Sequence, residues 1–253
     1  MVFPPLVAPG SALPESERAR TARQSRLPLI GDIGQRRLAN ARVAVIGAGG
    51  IGSPVTLYLA ASGVGTVAVI DDDDIDLSNL QRQIAFGVDD VGRAKADVAA
   101  ERMRALAPDI QVIPQRTRLT VANATALLSG FDLVIDGSDS FDTRYAVADA
   151  CEALGVPLVW GSVLRFDAQV SLFWSRPPSG SGVGLRDVFP TPPAPDAVPS
   201  CAEAGVLSAL CGQVGSLLVA EATKLICGIG EPLLGRMLVI DALTGRTRAG
   251  PLG

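Results

Sequence analysis

The feature that most constrains this chain is the glycine-rich stretch VIGAGGIG, which joins an apolar run, RVAVIG, to a helix-like segment, IGSPVTLYLAAS. It holds Gly47, Gly49 and Gly52 in the spacing G-x-G-x-x-G, with Gly50 inside it, and Asp71 ends the next apolar run. Such glycines allow a tight strand-to-helix turn, the helix N-terminus can bind phosphate, and the acid can accept ribose hydroxyls. The stretch predicts a βαβ nucleotide site, and by itself it leaves NAD and ATP as alternatives.

Apolar runs and helix-like segments alternate along the rest of the chain. TVAVID, IQVIP and DLVIDG are typical of buried parallel strands, and GRAKADVAAERMRALAP, TVANATALLSG and FDTRYAVADACEALG are typical of helices. PLVWGSV, AQVSLFW and RMLVIDALTGRTRAG add strands, the last with a predicted hairpin turn at Thr244 and Gly245. The predicted fold class is α/β, a Rossmann-like and mostly parallel sheet with helices on both faces, extended by C-terminal strands.

The domain organisation follows from length and from two irregular segments. With 253 residues, 48% of them hydrophobic, the chain can bury one sizeable core. We predict a flexible tail over residues 1–19 and a single domain over residues 20–253. Residues 175–200 contain seven prolines and three glycines, which predicts a long mobile loop inside that domain.

The segment from Ala202 to Ile226 is apolar on nearly every face, which is compatible with a membrane span or with a buried helix. Only about 17 uncharged residues separate Glu203 from Glu221, fewer than the roughly 20 that a span requires. Gln213 lies among them. We therefore expect a buried helix, packed on the sheet or in a subunit interface, and no membrane association.

Composition narrows the possible chemistry. The net charge is −4, which argues against a nucleic-acid partner, and the N-terminus has no cationic start, so we expect a cytoplasmic protein. The chain has no histidine, so any reaction must proceed without imidazole. Its cysteines, Cys151, Cys201, Cys211 and Cys227, form no C-x-x-C pair, so we expect no structural zinc.

Three polar segments follow predicted strands and should meet at one edge of the sheet: DLSNLQRQ, GRAKADVA and DGSDSFDTR. With the glycine stretch, these segments resemble the MoeB/ThiF/HesA group, adenylyltransferases that activate ubiquitin-like sulfur carriers and are related to the ubiquitin-activating enzymes. The resemblance covers about Arg20 to the C-terminus. It favours ATP over NAD.

The resemblance implies roles for individual residues. Asn79 and Arg82 would reach the nucleotide phosphates, Asp71 would bind the ribose, Lys95 would hold phosphate and Asp139 would support magnesium. Each has a plain alternative from the residues alone: Arg82 and Lys95 as solvated cations, and Asp139 as the N-cap of the following helix. For the neighbouring Asp72 to Asp74, solvated surface acids are the favoured interpretation.

Two further residues take family positions outside the nucleotide motifs. Arg23 matches an arginine that enters the neighbouring subunit's site in family dimers, which implies a homodimer, although Arg23 also lies in a generally basic stretch. Cys201, in SCAEAG, takes the place of the family's cysteine, and its nucleophilic role is left open. We expect Cys151, Cys211 and Cys227 to be core cysteines.

The reaction that the resemblance implies is ATP- and magnesium-dependent adenylation of the C-terminal glycine of a small sulfur carrier ending in Gly-Gly. Two C-x-x-C pairs of many relatives are absent, so we expect a member without zinc. No rhodanese-like extension follows Gly253, which implies a separate sulfur donor. Ser140 stands where an asparagine is common, which puts one polar contact near the nucleotide in doubt. Which carrier is activated stays open.

Other functions also fit parts of the sequence. An NAD-dependent oxidoreductase would use the glycine motif and Asp71, although we identify no residue for hydride transfer. A catalytically silent scaffold that binds a carrier is the non-enzyme alternative, against which the intact site residues argue. A tRNA-modifying dehydratase would share the nucleotide site, but the acidic balance and SNLQRQ favour the carrier enzymes.

Overall fold

The computed structural model describes residues 3–194 and 201–252, apart from the side chains of Cys201 and Ala202. Its strands form one sheet in the order β3-β2-β1-β4-β5-β6-β7-β8. They are β1 (Arg42–Ile46), β2 (Thr66–Ile70), β3 (Gln111–Gln115), β4 (Leu133–Asp136), β5 (Leu158–Leu164), β6 (Asp167–Phe173), β7 (Arg236–Asp241) and β8 (Arg246–Pro251). The first five strands in this order, from β3 to β5, pair in parallel. Each of the last three, β6, β7 and β8, is antiparallel to the strand before it. The mostly parallel sheet and its extension by C-terminal strands are confirmed.

Helices cover both faces of the sheet, as predicted. They are α1 (Glu15–Arg20), α2 (Ala22–Ser25), α3 (Gly31–Asn40), α4 (Gly52–Ser62), α5 (Lys95–Leu106), α6 (Ala124–Leu128), α7 (Phe141–Leu154), α8 (Leu185–Val188), α9 (Cys201–Ala204) and α10 (Ser208–Cys227). Because side chains alternate along a strand, Val43 and Val45 join the core under α4, α5 and α10. Ala44 and Ile46 join the core under α6 and α7.

The order of the strands fixes where a ligand can bind. Strand β1 pairs with β2 on one side and with β4 on the other, so the chain leaves β1 and β4 in opposite directions across the sheet. A crevice opens at the carboxyl ends of strands where the strand order reverses in this way. The glycine stretch after β1 and the loop after β4 therefore face each other.

Helix α10 is long and apolar enough to span a membrane by length and composition, but 61% of its most apolar window is buried inside the fold. Small residues let it approach its neighbours closely. A Cβ on Gly215 would lie 2.5 Å from Pro54 Cγ of α4, and one on Gly161 of β5 would lie 2.9 Å from Val214 Cγ1. The prediction of a buried helix packed on the sheet is confirmed.

The structure differs from the sequence prediction at the N-terminus, where residues 1–19 were expected to be a flexible tail. Phe3 is only 4% exposed and packs on Trp174 with ring centroids 5.7 Å apart. The Leu6 N–H donates to the Leu225 carbonyl at 3.0 Å, and a helix begins at Glu15. The prediction weighed the prolines and overlooked the apolar residues between them, which bury against the core.

Two other segments also differ from expectation. Part of the predicted mobile loop is ordered against the domain: Trp174 pairs with Val183, and the short helix α8 buries Leu185. Residues 195–200 of that loop lie outside the described residues. TVANATALLSG yields only a five-residue helix, because its first residues form a turn in which Asn123 Oδ1 accepts from the Thr120 N–H at 2.8 Å.

Candidate active site

The glycine stretch forms the predicted strand-to-helix turn. Gly47 has φ +83°, a conformation that side chains disfavour. A Cβ on Gly52 would lie 1.8 Å from the Gly47 carbonyl oxygen, so the two glycines close the turn against each other. The Ser53 N–H donates to the Gly49 carbonyl at 2.8 Å, which starts the regular bonding of α4. The remaining N–H groups of this turn are available to an anion.

Asp71 ends β2 and is locked to the glycine turn. Its Oδ2 accepts from the Ala48 N–H at 2.7 Å, and its Oδ1 accepts from the Asp73 N–H at 2.9 Å. Burial raises the pKa of Asp71 above its ordinary value, and the two N–H donors and nearby Lys95 only partly offset this effect. Asp71 is thus fixed beside the turn, where its remaining lone pairs can accept hydroxyl groups.

The segment DLSNLQRQ forms a compact turn after β2. Asp76 Oδ1 accepts from the Ser78 N–H at 2.8 Å, and Asn79 Oδ1 accepts from the Asp76 N–H at 3.3 Å. The N–H groups of Arg82 and Gln83 both donate to the Asn79 carbonyl at 3.0 Å. Asn79 therefore has a structural role that the sequence reasoning missed, because it holds the turn that presents Arg82 to the cavity.

Lys95 is the first residue of α5 and is only 6% exposed. Its Nζ donates to Asp73 Oδ2 at 2.6 Å, while its backbone N–H donates to the Asp73 carbonyl at 3.0 Å. The alternative of a solvated cation is therefore wrong for Lys95. Asp73 itself is a largely exposed acid, as expected, but it has a specific cationic partner.

The loop after β4 carries Asp139, the second acid of the site, and its conformation depends on two buried residues beside it. Asp136, which precedes the loop, is fully buried, and burial raises its pKa although Arg144 and the Ser138 N–H act in the opposite sense. Arg144 holds the loop from behind, because its Nε and Nη2 donate to the Ser138 carbonyl at 3.0 and 2.8 Å. Asp139 is thereby presented at an exposed position.

The alternative role for Asp139 as the N-cap of α7 is wrong. Ser140 is the N-cap, and its Oγ accepts from the Thr143 N–H at 3.2 Å. Asp139 makes no hydrogen bond or ion pair within the described part of the chain. Its carboxylate is free to take a cation, and the serine that departs from the family pattern has a capping function.

These segments enclose one cavity of about 290 Å³, which we call the nucleotide cavity. Its lining includes most of the residues predicted from the sequence: Gly47, Gly49, Gly50, Asp71, Asn79, Arg82, Lys95 and Asp139. Gly52 shapes the turn without lining the cavity. The predicted residues, which come from four separate segments of the sequence, therefore meet at one cavity.

Among the predicted site residues with described side chains, Arg23 is not brought to this cavity. Arg23 lies on α2, is exposed, and makes no hydrogen bond or ion pair among residues 3–194 and 201–252. Cys201 begins the four-residue helix α9, and its side chain lies outside the described residues. Within one chain, the described residues therefore show no contact between Arg23 and the nucleotide cavity.

The cavity also contains residues that the sequence reasoning did not assign: Gln83, Ser138, Arg144 and Cys211. Cys211 is buried like Cys151 and Cys227, as expected for core cysteines, but a Cβ on Gly50 would lie 3.0 Å from its Sγ. No local pattern in α10 indicates this proximity. Gln83 belongs to the SNLQRQ motif, but the sequence analysis assigned it no role.

A second cavity, which we call the apolar cavity, lies beside the first and measures about 760 Å³. Its wall is mainly apolar and includes aromatic side chains from α7, β5 and the segment after α8, among them Tyr145, Trp160 and Phe189. Arg144 lines both cavities, and its Nη1 donates to Ser162 Oγ at 3.0 Å. The sequence analysis did not predict this second cavity.

The fold and the nucleotide cavity define a Rossmann-type α/β protein with a glycine turn facing a charged wall. The ThiF family model matches residues 21–252, and the chain belongs to the ThiF family.

Relatives agree with this assignment, and a solved structure shares the fold. The chain is 54% identical over 241 residues to the probable adenylyltransferase/sulfurtransferase MoeZ of Mycobacterium tuberculosis, covering 95% of this chain and 62% of that relative's length. It is 49% identical to the sulfur carrier protein adenylyltransferase of Thermus thermophilus, covering 92% of this chain and 87% of that relative. The crystal structure of E. coli MccB with MccA shares the fold with a TM-score of 0.80 at 21% identity, over 95% of this chain and 72% of that one.

Proposed function

We propose that this protein binds ATP and magnesium in the nucleotide cavity and transfers AMP to the C-terminal glycine carboxylate of a small ubiquitin-like sulfur carrier, releasing pyrophosphate. The observation that carries the proposal is the meeting of two cations, Lys95 and Arg82, with the free acid Asp139 around the glycine turn. A dinucleotide needs the turn and Asp71, whereas this additional charge suits a triphosphate with its metal. The names of the MoeZ and Thermus relatives support the same activity.

The chemistry needs no imidazole. A peptide α-carboxyl has a pKa of about 3.3 to 3.7, so the carrier's C-terminus is already an anion at neutral pH. One of its oxygens forms a bond to the α-phosphorus while the bond from that phosphorus to the pyrophosphate oxygen breaks. No proton has to be removed, which agrees with a chain that contains no histidine.

The protein's contribution is positioning and charge neutralisation. The N–H groups of the glycine turn bind phosphate oxygens, and Asp71 accepts the ribose hydroxyls. Lys95 and Arg82 stabilise the negative charge that develops on the departing pyrophosphate. Because Lys95 is held by the exposed carboxylate of Asp73, the phosphates compete with Asp73 for this cation.

Asp139 fits magnesium by the chemistry of its donor, since carboxylate oxygens are the ligands this ion prefers and Asp139 has no other described partner. Magnesium bound there would supply charge neutralisation to the phosphates. Asp71, Asp72 and Asp73 also lie close enough to share an ion, but Asp71 and Asp73 already have partners. The proposed enzyme uses no zinc, so added magnesium alone should restore activity after chelation.

The apolar cavity is the proposed approach for the carrier's C-terminal segment. The tail of a folded protein must enter from outside and reach the α-phosphate, and this cavity adjoins the nucleotide cavity at Arg144. Aromatic walls such as Trp160 and Phe189 can bind an extended peptide without depending on its charge. The guanidinium of Arg144, which lies between the cavities, also attracts the terminal carboxylate of the carrier.

A homodimer is part of the proposal, with Arg23 of each subunit completing the other's nucleotide cavity. Exposed apolar side chains follow Arg23 in the chain, notably Leu27, Leu29 and Ile33. Such a patch is typical of a surface that a partner covers. We further infer that the N-terminal segment packed on the core and the rest of the chain act as one cytoplasmic domain, and that a separate protein donates the sulfur.

The test is ATP/pyrophosphate exchange, because adenylation is reversible while the product stays bound. Exchange should depend on a carrier ending in Gly-Gly and vanish with the same carrier lacking its last glycine. Exchange without a carrier would contradict the proposal, as would a panel of such carriers that supports none. A spectral titration with NADH should show no binding, and saturable binding would favour the oxidoreductase alternative.

A further inference from the structure

Arg23 stands on a helix that cannot hold its own position. Helix α2 has only four residues and buries none of them, and a single helical turn is too short to be stable by itself. Contacts with the rest of the fold therefore have to fix it. Arg23 is exposed and takes part in no hydrogen bond or ion pair among the described residues, whereas the next residue, Gln24, is partly buried and hydrogen-bonded.

Gln24 ties α2 to the C-terminal end of α4. Its Nε2 donates to the carbonyl of Ser62, the last residue of α4, at 3.1 Å and to Gln35 Oε1 at 2.9 Å. Gln35, which lies on α3 and is 1% exposed, donates from its own Nε2 to the same Ser62 carbonyl at 2.8 Å. The last carbonyls of a helix have no partner inside it, so both amides meet an available acceptor. Three helices are thereby joined at one carbonyl.

Helix α1 is attached at the same place. Arg20 Nη1 donates to the Ala61 carbonyl at 2.7 Å, and Arg20 Nε donates to Glu17 Oε2 at 2.7 Å. Gly63, which follows α4, has φ +79°, and a Cβ there would lie 2.7 Å from Glu17 Oε1. The segment formed by α1 and α2 therefore lies closely against the last turn of α4.

Helix α4 separates these contacts from the nucleotide cavity of the same chain. It begins at Gly52, in the glycine turn, and ends at Ser62. Its 11 residues span about 16 Å. An arginine at the far end of this helix does not reach the glycine turn of its own chain. The geometry therefore agrees with the proposed action of Arg23 in the other subunit.

We propose that Gln24 is a positioning residue, which fixes α2 on the end of α4 so that Arg23 enters the partner subunit's nucleotide cavity in the productive position. The inference rests on the proposed function, in which Arg23 acts across a homodimer. Adjacent side chains leave a helix about 100° apart, so one can bind the fold while the other points away from it. Gln24 then affects the reaction only through Arg23.

The experiment measures carrier-dependent ATP/pyrophosphate exchange with the full chain, well below the Tm of every variant. Gln24→Met keeps the length of the side chain and removes its donors, whereas Gln24→Lys keeps a donor for the Ser62 carbonyl. Arg176→Met is the matched control. Arg176 Nη2 donates to the Ala153 carbonyl at 2.7 Å in the last turn of α7, on the opposite face of the sheet, and α7 also ends at a left-handed glycine.

We expect Gln24→Met to lower kcat by about tenfold or more, because a small misplacement of a catalytic group is costly. The KM for ATP should stay at the wild-type value, since Arg23 acts on charge that develops in the transition state. Gln24→Lys should restore most of the rate. Arg176→Met should keep the wild-type kcat, although it loses a bond of the same kind.

A double variant separates positioning from a general structural role. If Gln24 acts through Arg23, adding Gln24→Met to Arg23→Ala should cause no further loss of exchange. A further loss as large as that in the wild-type background would overturn the inference, because it would show that the two residues act independently.

Other results would also overturn it. A wild-type kcat for Gln24→Met would show that the hydrogen bonds position nothing, and equal losses in Gln24→Lys would show that the missing donor is not the cause. An equal loss in Arg176→Met would indicate general loosening of the fold. A wild-type rate for Arg23→Ala would leave Gln24 nothing to position while adenylation stands, whereas a wild type without exchange would refute the proposed function itself.

Discussion

The nucleotide cavity and the apolar cavity are neighbours that share Arg144 but are built in opposite ways. The first measures about 290 Å³ and is walled by backbone turns, four cationic side chains and several carboxylates. The second measures about 760 Å³ and is walled mainly by aromatic and aliphatic side chains. This contrast agrees with our proposal of two ligands of different chemistry, a small polyanion in one cavity and a peptide segment in the other.

The difference follows from the two parts of the sheet. The nucleotide cavity lies where parallel strands end and loops converge, so polar loop residues form it. The apolar cavity lies over β5 and β6, where the sheet changes to antiparallel pairing, and residues after α8 cover it. Tyr145 anchors that cover, because its hydroxyl donates to the Phe189 carbonyl at 3.0 Å.

The largest expected effect is on the nucleotide side. Lys95→Ala should lower carrier-dependent exchange by about 10² or more, because it removes a preorganised cation from the developing negative charge. The only other lysine, Lys224, bonds to the Glu231 carbonyl and lies outside both cavities, so Lys224→Ala is the control. Equal exchange rates in the two variants would show that Lys95 only forms a structural ion pair with Asp73.

The second prediction asks whether the nucleotide cavity is complete within one chain. Arg23→Ala and Lys95→Ala should each be nearly inactive, but a mixed dimer would contain one site with both residues intact. Random exchange makes half the dimers mixed, so activity should recover to roughly a quarter of wild type in a two-fold symmetric dimer. No recovery, despite demonstrated subunit exchange, would show that Arg23 does not act across an interface.

The third prediction separates the apolar cavity from its neighbour. Phe189→Ala should raise the KM for the carrier by about fivefold and leave the KM for ATP unchanged, because an aromatic anchor is lost from a peptide site. Phe166→Ala is the control, since Phe166 is 42% exposed and does not line either cavity. A change in the KM for ATP with Phe189→Ala would mean that the two cavities do not act separately.

The smallest effect is expected at Cys201. Cys201→Ala should keep wild-type exchange, because adenylation requires no thiol, while any covalent adduct with the carrier disappears. Exchange is measured with labelled pyrophosphate and the adduct on a non-reducing gel. Loss of exchange in a variant with an unchanged Tm would place Cys201 in the adenylation step itself.

The nucleotide cavity was largely predictable because its residues belong to local motifs. Gly47, Gly52 and Asp71 are fixed by the turn between two strands, and a mostly parallel sheet brings Lys95 and Asp139 to the same edge. The contribution of Cys211 was not predictable, since it depends on how α10 packs against the glycine turn. The apolar cavity was missed for the same reason, because its walls come from elements far apart in sequence.

The N-terminus shows a further limit of sequence reasoning. Its prolines argue against regular structure before Glu15, and the sequence does not show that Phe3 has a matching surface beside Trp174. That surface is formed by residues far apart in sequence, such as Trp174 and Leu225. Burial of short apolar segments outside regular elements therefore needs the tertiary structure.

The central claim is that the two cavities serve two substrates of a single transfer reaction. Intact-mass measurement of a carrier ending in Gly-Gly, after incubation with the enzyme, ATP and magnesium, tests it most directly. The account predicts that the carrier gains one AMP and loses one water, and that removing its last glycine or substituting Lys95 abolishes the gain. A carrier of unchanged mass while ATP is hydrolysed, or AMP attached to the enzyme instead, would contradict it.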